Sequence, residues 1–132
     1  MAYVIAYIST AVIFFGLDFI WLTRSIGFYR KHIGELLLDK PNLTAAGLFY
    51  VFYIAGIVYL AVVPNLQNGS WASAALAGAV VGFLAYGTYD MTNLSTLKDW
   101  SVTVVVVDLI WGTFLTSVAA TGAYLVTSRF VS

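Results

Sequence analysis

The chain contains no cysteine and very little charge. The missing cysteine excludes disulfide bonds, thiolate catalysis and cysteine-ligated metal sites. Only 9% of the 132 residues are charged and 61% are hydrophobic, whereas about 25% of a soluble domain is charged. The formal net charge is zero, which gives no indication of a nucleic-acid partner. This balance predicts an integral membrane protein built as one compact domain.

Several common functional motifs are also missing. The single histidine excludes bis-histidine haem ligation within one chain, and no lysine lies inside an apolar segment, which excludes a retinal Schiff base. The sequence has no glycine-rich phosphate loop, no H-E-x-x-H motif and no nucleophile elbow. We therefore expect no cofactor and no metal site. Whether the protein is an enzyme stays open at this point.

Four segments are long and apolar enough to cross a bilayer as helices, each of which needs roughly 20 mostly apolar residues. They cover about residues 3–23, 43–63, 71–91 and 100–126. Between the first two, polar residues alternate with apolar ones, which predicts an amphipathic helix on the membrane surface. The predicted fold is all-α: a single transmembrane domain over residues 1–132, built as a four-transmembrane-helix bundle.

The sequence also indicates how the last two helices pack and begin. Small residues recur at every fourth position, which favours close approach of neighbouring helices. They are Ala74, Gly78 and Gly82 in the third helix and Gly112, Thr116 and Ala120 in the fourth. Asp99 stands just before the fourth helix, where we expect it to act as the N-cap.

Positive residues predict the orientation in the membrane. The first connection carries Arg24, Arg30, Lys31 and Lys40, the third carries Lys98, and the second carries none. Cytoplasmic connections are enriched in lysine and arginine. We therefore expect the first and third connections in the cytoplasm and both termini outside.

Three aspartates, Asp18, Asp90 and Asp108, lie within the apolar helices. An ionised aspartate in hydrocarbon costs at least about 2.5–3.5 kcal/mol on insertion scales, and such acids mark functional sites by default. In the predicted orientation all three lie in the cytoplasmic half of the bilayer, Asp108 about 12 Å deep at about 1.5 Å per residue. Arg24 and Arg30 are the expected charge partners. Alternatively, Asp18 and Asp90 lie near enough to the interface to reach water or a surface cation.

Helical periodicity places aromatic and polar side chains on the same faces as these acids. Besides the three acids, the candidates for ligand binding or proton handling are Trp21, Tyr86, Tyr89, Asn93 and Trp111. Phe83 is also predicted to share the face of Asp90, and Tyr50 and Tyr53 of the second helix could close the remaining side. We expect these faces to form an aromatic-walled pocket. For Trp21, a place in the interfacial aromatic belt is favoured over ligand contact. For Trp111, core packing is an alternative.

Several short motifs resemble a family of small bacterial predicted membrane proteins of unknown function. They are D-F-I-W at 18–21, Y-D-M-T-N-L at 89–94, K-D-W at 98–100 and D-L-I-W-G at 108–112. The resemblance covers essentially the whole chain, and the Y-D-x-T-N element is its most specific part. It implies four spans and a bacterial inner membrane. It implies no activity, substrate or catalytic residue.

Three functions fit these features. The leading hypothesis is an Asp/Tyr/Trp pocket in the cytoplasmic half of the bilayer that binds a small amphiphile or membrane lipid. If the protein also modifies that molecule, proton transfer suits its carboxyl and tyrosine groups. A second hypothesis is a proton- or cation-coupled transporter acting as a homo-oligomer. A third is a non-catalytic accessory subunit that docks onto a partner membrane subunit through its small-residue ridges.

Overall fold

Four long helices form the protein, which confirms the predicted all-α membrane fold. The computed structural model describes residues 1–131, and that range contains no β-strand. The helices are α1 (Ala2–Ile33), α2 (Leu43–Ile57), a short α3 (Asn65–Asn68), α4 (Trp71–Thr96) and α5 (Val102–Val131). A π-helical turn, Val58–Val62, continues α2 without a break. The four long helical segments are each long and apolar enough to cross a membrane.

The first helix is longer than the sequence predicts. It runs on to Ile33 instead of ending near residue 23, so the expected surface helix is the last part of α1, followed by a 3-10 turn at Gly34–Leu36. No proline interrupts this stretch. Ser25 and Ile33 remain buried, and Ile33 packs with Trp100 and Val104. Packing against the rest of the bundle therefore prolongs the helix past Arg24.

The third and fourth long helices also differ at their ends. The third, α4, continues to Thr96, and the fourth, α5, extends from residue 102 to residue 131. The predicted N-cap of α5 is wrong. Ser101 fills that role, because its hydroxyl accepts the Val104 N–H at 3.2 Å. Asp99 instead adopts a left-handed backbone conformation with φ 62° in the preceding turn, a conformation that aspartate adopts more readily than most residues.

The small-residue ridges of α4 and α5 pack directly on each other. Gly78 and Gly82 are buried at this contact. A Cβ atom added to Gly78 would lie 2.8 Å from the Ala120 Cβ, and one added to Gly82 would lie 2.9 Å from the Thr116 Oγ1. The two backbones are therefore in near contact, as the spacing predicts.

The second helix joins the bundle mainly through its C-terminal half. Buried residues begin at Tyr53 and continue through Ile54, Ile57 and the π-helical turn, where they join the main core around Phe14 and Leu115. Six of the seven residues 43–49 are exposed. The N-terminal half of α2 thus leaves part of the bundle uncovered. This part lies on the side of the 34–42 connection.

Candidate functional site

Three helices bring their aspartates to one region of the bundle. Asp18 on α1, Asp90 on α4 and Asp108 on α5 are all buried. Asp18 lies within electrostatic range of Asp108, and the carboxyl group of Asp90 faces that of Asp108. We call these three residues the acid cluster. It lies towards the same end of the bundle as the exposed half of α2.

A tyrosine and a tryptophan of α1 hold Asp108. The Tyr29 hydroxyl donates a hydrogen bond to Asp108 Oδ1, and the Trp21 indole N–H donates to the Tyr29 oxygen at 3.3 Å. Sequence reasoning missed Tyr29, because residues 23–42 were assigned to a separate surface helix. Asp18, Trp21, Ser25 and Tyr29 are spaced so that they lie on one face of a helix. This spacing would have identified Tyr29 as a member of the site.

A second tryptophan holds Asp18. The Trp111 indole N–H donates a hydrogen bond to Asp18 Oδ1 at 3.3 Å. The Trp111 ring also stacks on Trp21, with ring centroids 4.6 Å apart and planes inclined by 12°. Offset aromatic pairs of this kind contribute about 0.5–1.5 kcal/mol beyond their burial. The two indoles therefore join α1 to α5 and orient two of the three carboxyl groups.

Asp90 is the least satisfied side chain of the cluster. It is fully buried, and neither carboxyl oxygen meets hydrogen-bond geometry with any described residue. The Trp100 indole and the Asp108 carboxyl group face it, yet the buried Trp100 N–H also lacks an acceptor with good geometry. Buried polar groups are normally hydrogen-bonded, so an unsatisfied carboxyl group requires an explanation.

The other two acids are not completely buried. Asp18 and Asp108 keep 9% and 8% of their surface exposed. Tyr50 and Tyr86 are half-buried and lie within electrostatic range of both acids. Within residues 1–131, no hydrogen bond holds either of their hydroxyl groups. We use the name crevice for the region between Asp18, Asp108, Tyr50, Tyr86 and Trp111.

The remaining α4 candidates lie at the edge of this region or outside it. Tyr89 is exposed and packs edge-on against Trp100, with ring centroids 5.7 Å apart. Asn93 is half-buried beside Tyr89. Phe83 does not share the inward face of Asp90. It is exposed on the outer surface, because the buried face of α4 follows Gly78, Gly82 and Asp90.

The predicted arginine partners do not lie with the acids. Arg24 and Arg30 are both exposed. The groups that hold Asp18 and Asp108 are instead uncharged indole and phenol donors. Within residues 1–131 no group of three His, Cys, Asp or Glu side chains is arranged to bind a metal ion.

Two grooves lie on the outer surface of the bundle. One of about 540 Å³ is lined by α4 and α5 residues that include Phe83, Ile110 and Phe114. Another of about 490 Å³ is lined by α1 and α5 residues that include Ile8 and Phe130. Neither is lined by a member of the acid cluster. Their apolar walls suit contact with lipid chains.

A family model described as "Predicted membrane protein (DUF2177)" matches residues 3–125. The chain belongs to this family. The matched range contains all three aspartates and both stacked tryptophans, and it confirms the resemblance predicted from the short motifs. No curated protein and no solved structure matches the chain. Membership of DUF2177 therefore establishes a membrane protein and leaves the activity to be inferred from the site.

The chemistry available in this DUF2177 member is narrow. The acid cluster and its neighbours offer carboxyl, phenol and indole groups. Carboxyl and phenol groups accept, donate or transfer protons. The cluster has an excess of acceptors, because the Asp90 oxygens and the second oxygens of Asp18 and Asp108 have no donor. The arrangement is suited to a molecule that brings hydrogen-bond donors.

Proposed function

We propose that this protein binds a small amphiphile or membrane lipid in the crevice, with the head group at the acid cluster. The second oxygens of Asp18 and Asp108 carry this proposal, because a largely buried acceptor without a donor is expensive unless a ligand supplies one. The hydroxyl groups of Tyr50 and Tyr86 have no hydrogen bond and lie within electrostatic range of both acids, which adds support. Ligand sites of this type are mostly apolar and contain a few convergent polar groups.

The polar groups are already oriented for binding. Asp108 uses one oxygen to accept from Tyr29, and Asp18 uses one to accept from Trp111. Each keeps its second oxygen for a head group. Since the indole and phenol donors lie in packed helices, little side-chain entropy remains to be lost on binding.

The route of entry is lateral. Residues 43–49 of α2 are largely exposed, so this half of the helix leaves Tyr50 only half-buried. An amphiphile in the adjacent leaflet can place its chain along this opening while its head group reaches Asp18 and Asp108. If a bound molecule is also modified, proton transfer by the carboxyl groups is the reaction that the site supports.

We place the protein in the bacterial inner membrane, with the first and third inter-span connections in the cytoplasm. The lysine and arginine distribution supports this orientation. Both termini then lie outside, and the acid cluster lies in the cytoplasmic half of the bilayer.

Native mass spectrometry of the protein released from nanodiscs tests this proposal. The wild type should carry a defined small molecule at fixed stoichiometry, and Asp108→Asn should lose it. The matched control is Asp39→Asn, which makes the same chemical change at an exposed loop position and should retain the molecule. A bare protein mass for the wild type, or equal occupancy in Asp108→Asn, would contradict the proposal.

One contact favours transport as a second candidate. The Tyr53 hydroxyl and the Thr116 Oγ1 form a buried hydrogen bond of 2.8 Å. Thr116 lies about 12 Å beyond Asp108 along α5, at about 1.5 Å per residue. This pair extends the polar groups from the acids towards the opposite face of the membrane. Proton flux in liposomes that depends on Asp108 would favour a proton-coupled transporter over a binding protein.

The accessory-subunit alternative loses its expected docking surface. The ridges of α4 and α5 were predicted to contact a partner membrane subunit, but Gly78 and Gly82 already pack against Thr116 and Ala120 of the same chain. A stoichiometric polypeptide in the mass spectrum would therefore need to bind elsewhere on the protein.

A further inference from the structure

We infer that the head group bound at the acid cluster is a protonated primary amine. This inference rests on the proposed amphiphile site and specifies the chemistry that the site selects. Asp18 and Asp108 receive it directly, and the fully buried carboxyl group of Asp90 faces Asp108.

The first reason to expect an amine is that no positively charged side chain of the protein holds Asp18 or Asp108. The cluster contains three carboxyl groups, and the side chains that hold Asp18 and Asp108 are the uncharged Trp111 and Tyr29. Arg24 and Arg30 are exposed and do not neutralise them. Carboxylates that lie close together in a region of low dielectric repel one another strongly. A cationic ligand removes this repulsion and satisfies the free oxygens in one step.

The available oxygens suit an ammonium group better than a metal ion. No group of three His, Cys, Asp or Glu side chains in residues 1–131 has an arrangement that would coordinate a metal. An ammonium group needs only acceptors for its three N–H donors, and charge-assisted bonds of this kind are about twice as strong as neutral ones. The stacked indoles of Trp21 and Trp111 beside Asp18 add aromatic surface that attracts cations.

The same charges reject anionic head groups. A phosphate, sulfate or carboxylate placed at Asp18 and Asp108 would meet like charges, and the side chains that hold these acids are uncharged. Specificity then arises from repulsion of the wrong head group as well as attraction of the right one. The site should therefore discriminate among amphiphiles by head-group charge, even when their apolar chains are identical.

A series of three probes with the same twelve-carbon chain tests this inference. Dodecylamine, dodecanol and dodecanoate are titrated separately onto the full-length protein in nanodiscs of zwitterionic lipid, and occupancy is read by native mass spectrometry. Dodecylamine should bind at least about tenfold more tightly than dodecanol, a ratio that corresponds to one decade in Kd. Dodecanoate should bind most weakly.

Two variants test whether the preference for dodecylamine depends on the acid cluster. Asp108→Asn should abolish the preference for dodecylamine over dodecanol, and Asp18→Asn should reduce it by several-fold. If Asp108→Asn fails to fold, Asp18→Asn and the wild-type series still decide the outcome. Asp39→Asn is the control for nonspecific surface attraction of the amine and should match the wild type.

The possible outcomes distinguish a failure of the amine assignment from a failure of the proposed function. Equal binding of dodecanol or dodecanoate, still lost in Asp108→Asn, would overturn the amine assignment and leave the amphiphile site standing. Displacement of dodecylamine by sodium, potassium or magnesium at matched ionic strength would assign the site to an inorganic cation instead. Absence of binding by all three probes, together with a bare wild-type mass, would overturn both.

Discussion

Tyr29 connects two helices through one hydroxyl group. It donates to Asp108 on α5 while accepting from Trp21 on its own helix. Both partners are part of, or adjacent to, the acid cluster, so this single phenol determines where one of the carboxyl groups points. Its loss would leave the Asp108 oxygen without a donor in a largely buried position.

Replacing Tyr29 by phenylalanine should lower the free energy of unfolding by about 0.5–2 kcal/mol, the range measured for hydrogen bonds between membrane helices. The ring stays, so only the hydrogen bonds are removed. Reversible unfolding in mixed micelles would measure the difference. Tyr59→Phe is the matched control, because Tyr59 is an exposed tyrosine in the membrane region. An equal effect of the two substitutions would show that the Tyr29 hydroxyl contributes nothing specific.

The sequence predicts that the three aspartates lie close together, but it does not predict which side chains donate hydrogen bonds to them. Helical spacing and the orientation rule placed Asp18, Asp90 and Asp108 at similar depths, and the structure brings them together. Their partners could not be derived in the same way, because charge pairing favoured Arg24 and Arg30. Long basic side chains retain their hydration by extending to the membrane surface. This leaves the aromatic donors to hold the carboxyl groups.

At the scale of helices, α4 and α5 form the most closely packed pair. Their contact depends on residues without large side chains, since the Cβ position of Gly82 already falls against Gly112 and Thr116 of α5. Close backbone approach of this kind gains van der Waals contact that lipid cannot replace.

Gly82→Ala should therefore destabilise the protein by about 1–3 kcal/mol, the usual cost of overpacking. The added methyl group meets backbone on α5, and backbone cannot rotate away as a flexible side chain does. Gly16→Ala is the control, because no atom lies within 4 Å of its Cβ position. It should be neutral or stabilising by up to about 1 kcal/mol. Thermal unfolding in detergent compares the two, and a harmless Gly82→Ala would contradict this packing.

Helix ends are predicted less well than helix cores for a physical reason. Hydropathy reports where a helix enters the hydrocarbon, whereas the helix itself ends where backbone hydrogen bonding and packing stop. The first helix continues past Arg24 because Ser25 and Ile33 still find neighbours in the bundle. Similarly, Ser101 displaces Asp99 as the cap because the turn places Asp99 in a left-handed conformation.

For the whole molecule, the absence of cysteine makes the proposed orientation directly testable. Single cysteines introduced at Asn68 and Asp39, both exposed, report on opposite ends of the bundle. We expect Asn68→Cys to react with a membrane-impermeant maleimide in intact cells and Asp39→Cys to react only after permeabilisation. Asp39 contributes little to orientation, because positive residues determine it. The reverse labelling pattern would place the acid cluster in the outer half of the bilayer.

The overall arrangement follows from the sequence in its broad features. Apolar length predicts four spans, and small-residue spacing predicts close helix contact at the faces where α4 and α5 pack on each other. The uneven packing of α2 cannot be predicted from the sequence. Its two halves are similarly apolar, yet only the half from Tyr53 onward contains buried residues. Lipid and protein core are equally apolar surroundings, so hydropathy cannot distinguish a lipid-facing side chain from a core one.

The bond between Trp111 and Asp18 joins residues 93 positions apart. At the usual synthesis rate of about 5–20 residues per second, the ribosome needs about 5–20 s to add the intervening chain. The first helix therefore enters the bilayer long before its carboxyl group can find its partner. During that interval Asp18 depends on the translocon, water or a proton for stabilisation. Maturation of the site is thus a late event in biogenesis, completed only when the last helix has been inserted.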